Sequence, residues 1–501
     1  MADKGLKGDS VGLIGSTILS ISSVAPAYAL TATLGILAAS AGVKMPVVII
    51  AGFLPMFFAA YAYREMNRVS PDCGTSFTWT TKAFGPVVGW LGGWTAIVAT
   101  VIVLSNLAGV AVQFFYQFFG EVFGSQLIAD LWLNKPVNVL TCLVFLFIAS
   151  YVAYRGVDAT ERVQIVLVSF QLIVLLIFAV AAIMQHEEGV GLDFSWDWFS
   201  PAGLTLSAFI AGLSGSIFAF WGWDTSLTVN EESKDREKIP GRAAILTIVT
   251  ILLTYLLVGV ATQMYAGLGD TGLGLSNPDT ADNVFGVLAE PVLGNFGIVL
   301  FLAVLASSAA SLITTFFPTT RTMLGMSAYK ALPAKLQTIH PVYKTPTVAI
   351  WAAGISAGAF YTILTFLSER VLLDTIYSIG IMICFYYGLT AFACIYYFRA
   401  QLFTSAFNFT FKFLFPLMGG LGLAFVFIIT LRDSADPAYG SGAAIGGVGL
   451  VLILGLGLIL VGAVYMAYLW AKDPAFFRGE TLPKTTAETD TTAAVEFEDV
   501  N

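Results

Sequence analysis

Charge is what this chain has least of. Only 11% of its 501 residues are Asp, Glu, Lys or Arg, against roughly 25% in soluble globular chains. With 57% hydrophobic residues and a mean hydropathy of +0.83, a soluble domain is excluded and a membrane protein is indicated. Histidine is nearly absent: His186 and His340 both fall between apolar runs, so the chain lacks the polar cluster a membrane enzyme needs, and no enzyme activity is expected. There is no Gly-x-x-x-x-Gly-Lys-[Ser/Thr] loop to cradle phosphates, which excludes an ATP-driven pump. No ten-residue alternating pattern occurs, which excludes an outer-membrane barrel. The four cysteines, Cys73, Cys142, Cys384 and Cys394, have no paired spacing and read as small buried hydrophobes, not as a disulfide framework. No cofactor and no nucleic-acid partner is expected.

What the chain has instead is apolar length. A helix needs about 20 apolar residues to cross a bilayer, and twelve such runs occur. They lie near 11–39, 46–63, 85–117, 137–154, 163–184, 205–229, 243–266, 294–320, 347–367, 372–398, 411–431 and 443–471. The basic residues alternate between the segments joining them. With a cytoplasmic N-terminus, only Lys44, Lys135, Arg370 and Arg432 lie outside, and the rest of the 24 Lys and Arg lie inside. That bias orients a membrane protein, so both termini are expected in the cytoplasm of a multi-pass protein of the cell membrane. The N-terminus lacks a cleavable signal pattern, and the first span is expected to be retained.

Two spans are interrupted. Span 1 reads Ser20-Ile21-Ser22-Ser23-Val24-Ala25-Pro26-Ala27-Tyr28. Pro26 cannot donate to the carbonyl of Ser22 and crowds it, yet it suits the first position of a second half-helix; a simple proline kink is the alternative. Span 6 holds Phe218-Ala219-Phe220-Trp221-Gly222-Trp223-Asp224-Thr225-Ser226, a glycine between two tryptophans and then a carboxylate. A charge inside hydrocarbon costs several kcal/mol and usually faces a pathway or a partner. The two breaks begin segments of five spans each. Because five is odd, the second segment enters the membrane inverted. Breaks at matching places in inverted halves point to a transport site at the midplane. The expected organisation is an all-α integral membrane protein. It comprises an N-terminal segment (1–10), a first five-helix repeat (11–184), an inverted second repeat (203–398), helices 11 and 12 (411–471) and a disordered cytoplasmic tail (472–501).

Three stretches together resemble the amino acid–polyamine–organocation superfamily of transporters. They are Tyr63–Trp94 with its Phe84-Gly85-Pro86 and Gly89-Trp90 pieces, Phe218–Asp224 followed by Glu231-Glu232 and Ile239-Pro240, and Arg321 with Leu332-Pro333, His340-Pro341 and Thr345-Pro346. The resemblance covers spans 1 to 10. It implies the inverted five-plus-five fold with broken helices 1 and 6, and secondary transport of amino acids or related amines. It implies that N–H groups around Ser22, Ser23, Val24, Ala25 and Ala27 receive the substrate carboxylate. Carbonyls of Phe220, Trp221 and Gly222 would receive the ammonium, with Trp221 or Trp223 as aromatic gates. Many relatives have a glycine-rich span 1 break, where this chain has Ser22-Ser23-Val24-Ala25-Pro26. Some proton-coupled relatives use a span 5 lysine, whose counterpart here is read as Gln171, a side chain that does not titrate.

Asp224 is the one acidic residue well inside a span. It is expected either to pair with a cationic substrate or to carry a coupled proton; the alternative is a structural carboxylate. Span 8 carries Ser307, Ser308, Ser311, Thr314 and Thr315, which read as small-residue packing or, at Ser307 and Ser308, as a sodium site. Proton-coupled uptake is the leading expectation. Sodium symport, exchange, polyamine transport and a non-transporting nutrient sensor are the alternatives. Gly440-Ser441-Gly442 and the span 12 glycines suggest either close helix packing or the face of a homodimer.

Overall fold

The computed structural model describes residues 4–186, 191–368 and 371–489, and they are mostly helical. Among the described residues, ten helical stretches are long and apolar enough to cross a membrane, and the first of them, Leu13–Val69, doubles back to make two crossings. The shorter Leu206–Ala219 and the turn Thr225–Thr228 make span 6, which completes the expected twelve.

Span 1 consists of half-helix 1a (Leu13–Val24) and half-helix 1b (Pro26–Ala41). Span 2 is Met45–Val69, and a short helix, Ser76–Phe84, precedes span 3, Pro86–Phe123. At 38 residues and 1.5 Å of rise per residue, span 3 overreaches a bilayer core of about 30 Å and must tilt. Spans 4 and 5 are Lys135–Arg155 and Val157–Met184. Span 7 is Ile239–Ala266, span 8 runs from Ile298–Thr314 into Phe316–Ala328, span 9 is Thr347–Leu367 and span 10 is Val371–Tyr397. Span 11, Phe415–Asp433, is preceded by a π-helical turn at Phe409–Leu414, and span 12 ends in Leu458–Lys472.

Side chains such as Leu140, Val166, Ile355 and Val464 on spans 4, 5, 9 and 12 are exposed, as a lipid-facing surface requires. Spans 3 and 10 are the most enclosed. Gly455 and Gly462 of the span 12 region lie against Ile381 and Trp94, and Ser441 bonds to Asp374 through both its N–H (2.9 Å) and its hydroxyl (2.6 Å). These residues serve close packing within the chain. The residues just before span 12 form a small hairpin, Ala444–Ile445 on Val448–Gly449, so the helix starts later than the apolar run suggests.

Both tails lie on one face. The N-terminal segment runs beside the residues after span 6, where Ser10 and Val11 N–H groups donate to the Glu232 carbonyl. The tail expected to be disordered from 472 is instead docked through its described part. Phe476 and Leu482 are buried, Thr481 donates to the Tyr329 carbonyl at 2.6 Å, and the N–H groups of Thr485 and Ala487 donate to Lys82 and Tyr397 carbonyls. Its threonines and acidic residues suggested disorder, but a few apolar side chains anchor it. Residues 490–501 lie outside the described residues.

Candidate substrate site

The two breaks touch. Helix 1a ends at Ala25, which adopts the left-handed conformation (φ 54°) and donates its N–H to Ile21. Pro26 then opens 1b. Span 6 unwinds from Phe220 to Asp224, turning at Gly222 (φ 106°). A side chain at Gly222 would strike the backbone of Ser23 and Val24, so glycine is what lets the loops meet. The Thr225 hydroxyl donates to Ser23 Oγ (2.7 Å), and the Ser226 N–H donates to Ser20 Oγ (2.9 Å).

The free amides are fewer than expected and sit further along the chain. Ser22, Ser23 and Val24 belong to the C-terminal end of 1a, where amides are bonded inside the helix and carbonyls are the orphans. Ala25 is also bonded. Helix 1b supplies the N-terminal amides, and they belong to Ala27 and Tyr28. Side chains hold both: Ala27 N–H reaches Gln171 Oε1 at 3.5 Å, and Tyr28 N–H reaches Ser307 Oγ at 3.3 Å. These bonds are long, and Gln171 Nε2 has no partner among the described residues. The amides of two residues and this side chain therefore form a donor set at a helix N-terminus, a place that favours anions.

On the span 6 side, the Gly222 carbonyl accepts from Thr225 N–H at 3.2 Å. Among the described residues, the Phe220 and Trp221 carbonyls accept no hydrogen bond. Both tryptophans are buried. Trp221 Nε1 donates to the Tyr386 hydroxyl at 2.5 Å, while Trp223 packs against Tyr63 and Tyr387 at ring distances of 5.1 and 5.0 Å. Asp224 is buried and interacts with the Tyr63, Tyr386 and Tyr387 side chains; its Oδ1 has no partner.

Span 5 reaches the site through a residue the sequence did not single out. Gln164 Oε1 accepts from Ser22 Oγ at 2.6 Å, and its Nε2 donates to the span 8 carbonyl of Ala310 at 3.1 Å. One carboxamide thus joins spans 1, 5 and 8, two helical turns from Gln171. Ser311 adds a bond from its hydroxyl to the Ser23 carbonyl (2.9 Å). Ser307 is occupied by Tyr28, and Ser308 Oγ is buried without a partner.

The two faces differ. On the face carrying the tails, the Lys4 ammonium is buried, 2.8 Å from Asp72 and 2.5 Å from Glu231. Tyr329 OH donates to Asp72 at 2.7 Å. Burial works against the charge of Asp72, but Lys4 holds its carboxyl at about 2. Beside this cluster, Arg321 of span 8 makes a buried two-point ion pair with Glu232 (3.1 and 3.0 Å). On the opposite face a cavity of about 300 Å³ opens between 1b, span 3 and span 10, with Asn106 in its lining.

A pair of interrupted helices meeting inside a helical bundle is the arrangement of many membrane carriers. The chain matches the amino acid permease family over residues 11–434 and belongs to that family. It is similar to the branched-chain amino acid permease BcaP of Bacillus subtilis, with 26% identity over 70% of this chain and 74% of that one. It is also similar to the methylthioribose transporter of the same organism, with 23% identity over 68% and 72%. To the human cystine/glutamate transporter it is 24% identical over 62% of this chain and 59% of that one. Its fold is that of MhsT, solved in complex with L-phenylalanine: TM-score 0.61, 13% identity, covering 85% of this chain and 100% of that chain. The protein is therefore a multi-pass membrane protein of an amino acid transport family, with twelve spans, of which the first ten form two five-helix repeats of opposite orientation.

Proposed function

We propose that this protein takes up amino acids across the cell membrane by alternating access, driven by protons, with both termini in the cytoplasm. The observation that carries this reading is the asymmetry of the two faces. Buried ion pairs of Lys4 and Arg321 close the face bearing the tails, while a cavity opens on the other. A carrier caught with its outer side open has that form. The substrate carboxylate would lie on the Ala27 and Tyr28 amides beside Gln171 Nε2, displacing two long hydrogen bonds. Its ammonium would lie on the Phe220 and Trp221 carbonyls, with Trp221 beside it.

Asp224 is the group that suits a coupled proton. It is a buried carboxylate at the break with an unpartnered oxygen and no cation paired to it among the described residues. Support for sodium is weaker. Of the oxygens between spans 1 and 8, the Ser23 and Ala310 carbonyls already take donors, and Ser307 faces a helix N-terminus, whose partial positive charge repels a cation.

Reconstitution into liposomes with a panel of labelled amino acids and amines tests the reading. Uptake should follow an imposed proton gradient and persist when choline replaces sodium. Asp224→Asn should remain folded and lose gradient-driven accumulation. Unchanged gradient dependence in that variant would refute the coupling role, and sodium-dependent uptake would favour the sodium reading.

A further inference from the structure

We propose that Asn106 and Tyr28 form a selectivity site for the substrate side chain. The site favours amino acids with a neutral hydrogen-bonding side chain, a carboxamide or hydroxyl, over aliphatic ones of similar size. The inference rests on the amino acid uptake argued above and names the class of substrate.

Asn106 lies in span 3 and borders the cavity, yet its residue is only 3% exposed. The Thr375 hydroxyl of span 10 lies 3.0 Å from Asn106 Oδ1. The same hydroxyl, which has one proton, also lies 3.0 Å from the Leu372 carbonyl, so it holds the carboxamide as donor or as acceptor; in this orientation Nδ2 has no partner. Tyr28 stands beside it. It is one helical turn below Ala32, another cavity-lining residue, and i and i+4 share a face of a helix. Tyr28 is itself held in place, by its N–H on Ser307 and by its ring against Phe218 at 6.5 Å. Its hydroxyl is likewise buried and unpartnered.

Nearly all buried polar groups in native structures are paired. Asn106 Nδ2 and the Tyr28 hydroxyl, adjacent to one another and with no partner beyond each other, are therefore complementary to a polar atom arriving from the cavity. Asn106 Nδ2 offers donors, and the tyrosine hydroxyl offers a donor or an acceptor. Neither carries a charge. The charged residues lining the cavity, Lys135 and Asp282, have opposite signs. Elsewhere the lining includes Ala32, Ile36, Val110, Leu373 and Ile376. A wall that mixes these apolar side chains with the neutral polar Gln113, Asn138, Thr365 and Ser368, and that carries no net charge, suits a glutamine-like side chain better than a charged one. A site built to hydrogen-bond its ligand rejects analogues that leave its polar groups unpaired.

The test uses the full chain in liposomes taking up labelled alanine, with glutamine and methionine, which are similar in size, as competitors. Glutamine should inhibit at a concentration at least about tenfold below that of methionine. Asn106→Leu should erase or invert this preference while alanine still enters. Thr375→Val, which removes the hydroxyl that holds the carboxamide, should weaken the preference. Equal inhibition by the two competitors in the unmodified protein overturns the proposal, as does an unchanged preference in an active Asn106→Leu protein. If Asn106→Leu does not fold, Asn106→Ser and Thr375→Val decide by the same criterion. If no amino acid enters the liposomes, the transport reading fails on its own. The selectivity site is then judged by thermal shift of the purified protein: a larger shift with glutamine than with methionine, lost in Thr375→Val, supports it, and equal shifts overturn it.

Discussion

Gly222 lies with its Cα against the peptide between Ser23 and Val24: a Cβ there would stand 2.9 Å from the Ser23 carbonyl carbon and from the Val24 nitrogen. The two broken helices approach as closely as backbone allows.

Gly222→Ala should therefore be among the most damaging small changes in the chain. It adds a methyl against backbone, which cannot move aside like a flexible side chain, and it holds alanine at a φ of 106°. Overpacking together with an unfavourable φ costs about 2–4 kcal/mol. A marked drop in melting temperature in detergent, with loss of uptake, is the expected outcome. A stable and active Gly222→Ala protein would show that the breaks do not need this contact.

Gln164→Leu removes the carboxamide that joins Ser22 to Ala310. Both partners are buried, and leaving a buried polar group unsatisfied costs about 1–3 kcal/mol. Thermal melts should register that loss, and Gln164→Glu should restore less than the native residue because an ionised carboxylate cannot donate to the Ala310 carbonyl. Equal stability of all three proteins would contradict the bridge.

Lys4→Ala leaves Asp72 and Glu231 as neighbouring buried carboxylates. Breaking one side of a buried ion pair costs about 3–5 kcal/mol. Cys73, wholly buried beneath this cluster, should then react with a membrane-impermeant maleimide from the tail-bearing face, in a protein whose other cysteines are replaced. The unmodified cluster should resist.

The pH dependence of the same cluster has a definite sign. With Lys4 present, the Asp72 carboxyl is held at about 2, below its ordinary value of 3.8. Its contribution is complete above about pH 4 and is lost as pH falls through about 2. Lys4 is raised above 10.5, because the neighbouring carboxylates outweigh its burial, so its contribution is complete below that value and lost only at higher pH. The Asp72 and Lys4 contributions should thus be flat between about pH 5 and 9, while Glu231, raised above 4.5 by its burial, costs stability as it ionises with rising pH. In Lys4→Ala that loss should grow: burial already raises Glu231 and the ammonium that lowers it is gone, so ionising it as pH rises should destabilise more. A Lys4→Ala protein whose stability rose over the same range would count against this account.

Phe476→Ala tests the docked tail. The ring is fully buried and packs on Phe77 at 5.3 Å. Phenylalanine-to-alanine changes in such places cost about 3–5 kcal/mol. Increased protease cleavage between residues 473 and 489, measured on the purified protein, is the direct check.

Much of the architecture was legible because bilayer thickness imposes one length on every span, and Pro26 and the Trp221-Gly222-Trp223 triplet mark the breaks by backbone chemistry alone. The donors at the site were harder to read. Which half-helix contributes free amides depends on where 1a stops, and that is set at Ala25, a residue with no intrinsic taste for the left-handed region. Gln164 was missed because one amide in an apolar run carries no signal until its two partners, 142 and 146 residues away in sequence, are brought beside it. The tail was misjudged for a similar reason: Phe476, Phe477 and Leu482 are too few to raise the hydrophobicity of the stretch, yet enough to anchor it.

The Lys4 cluster also constrains how the protein can be made. Lys4 and Asp72 are both made before span 3, but Glu231 follows six spans and Tyr329 follows eight. Until then Lys4 lacks its second carboxylate and Asp72 lacks its tyrosine. The face that seals the carrier is thus among the last parts to assemble, and a chain that stalls in its second half is left with that side open.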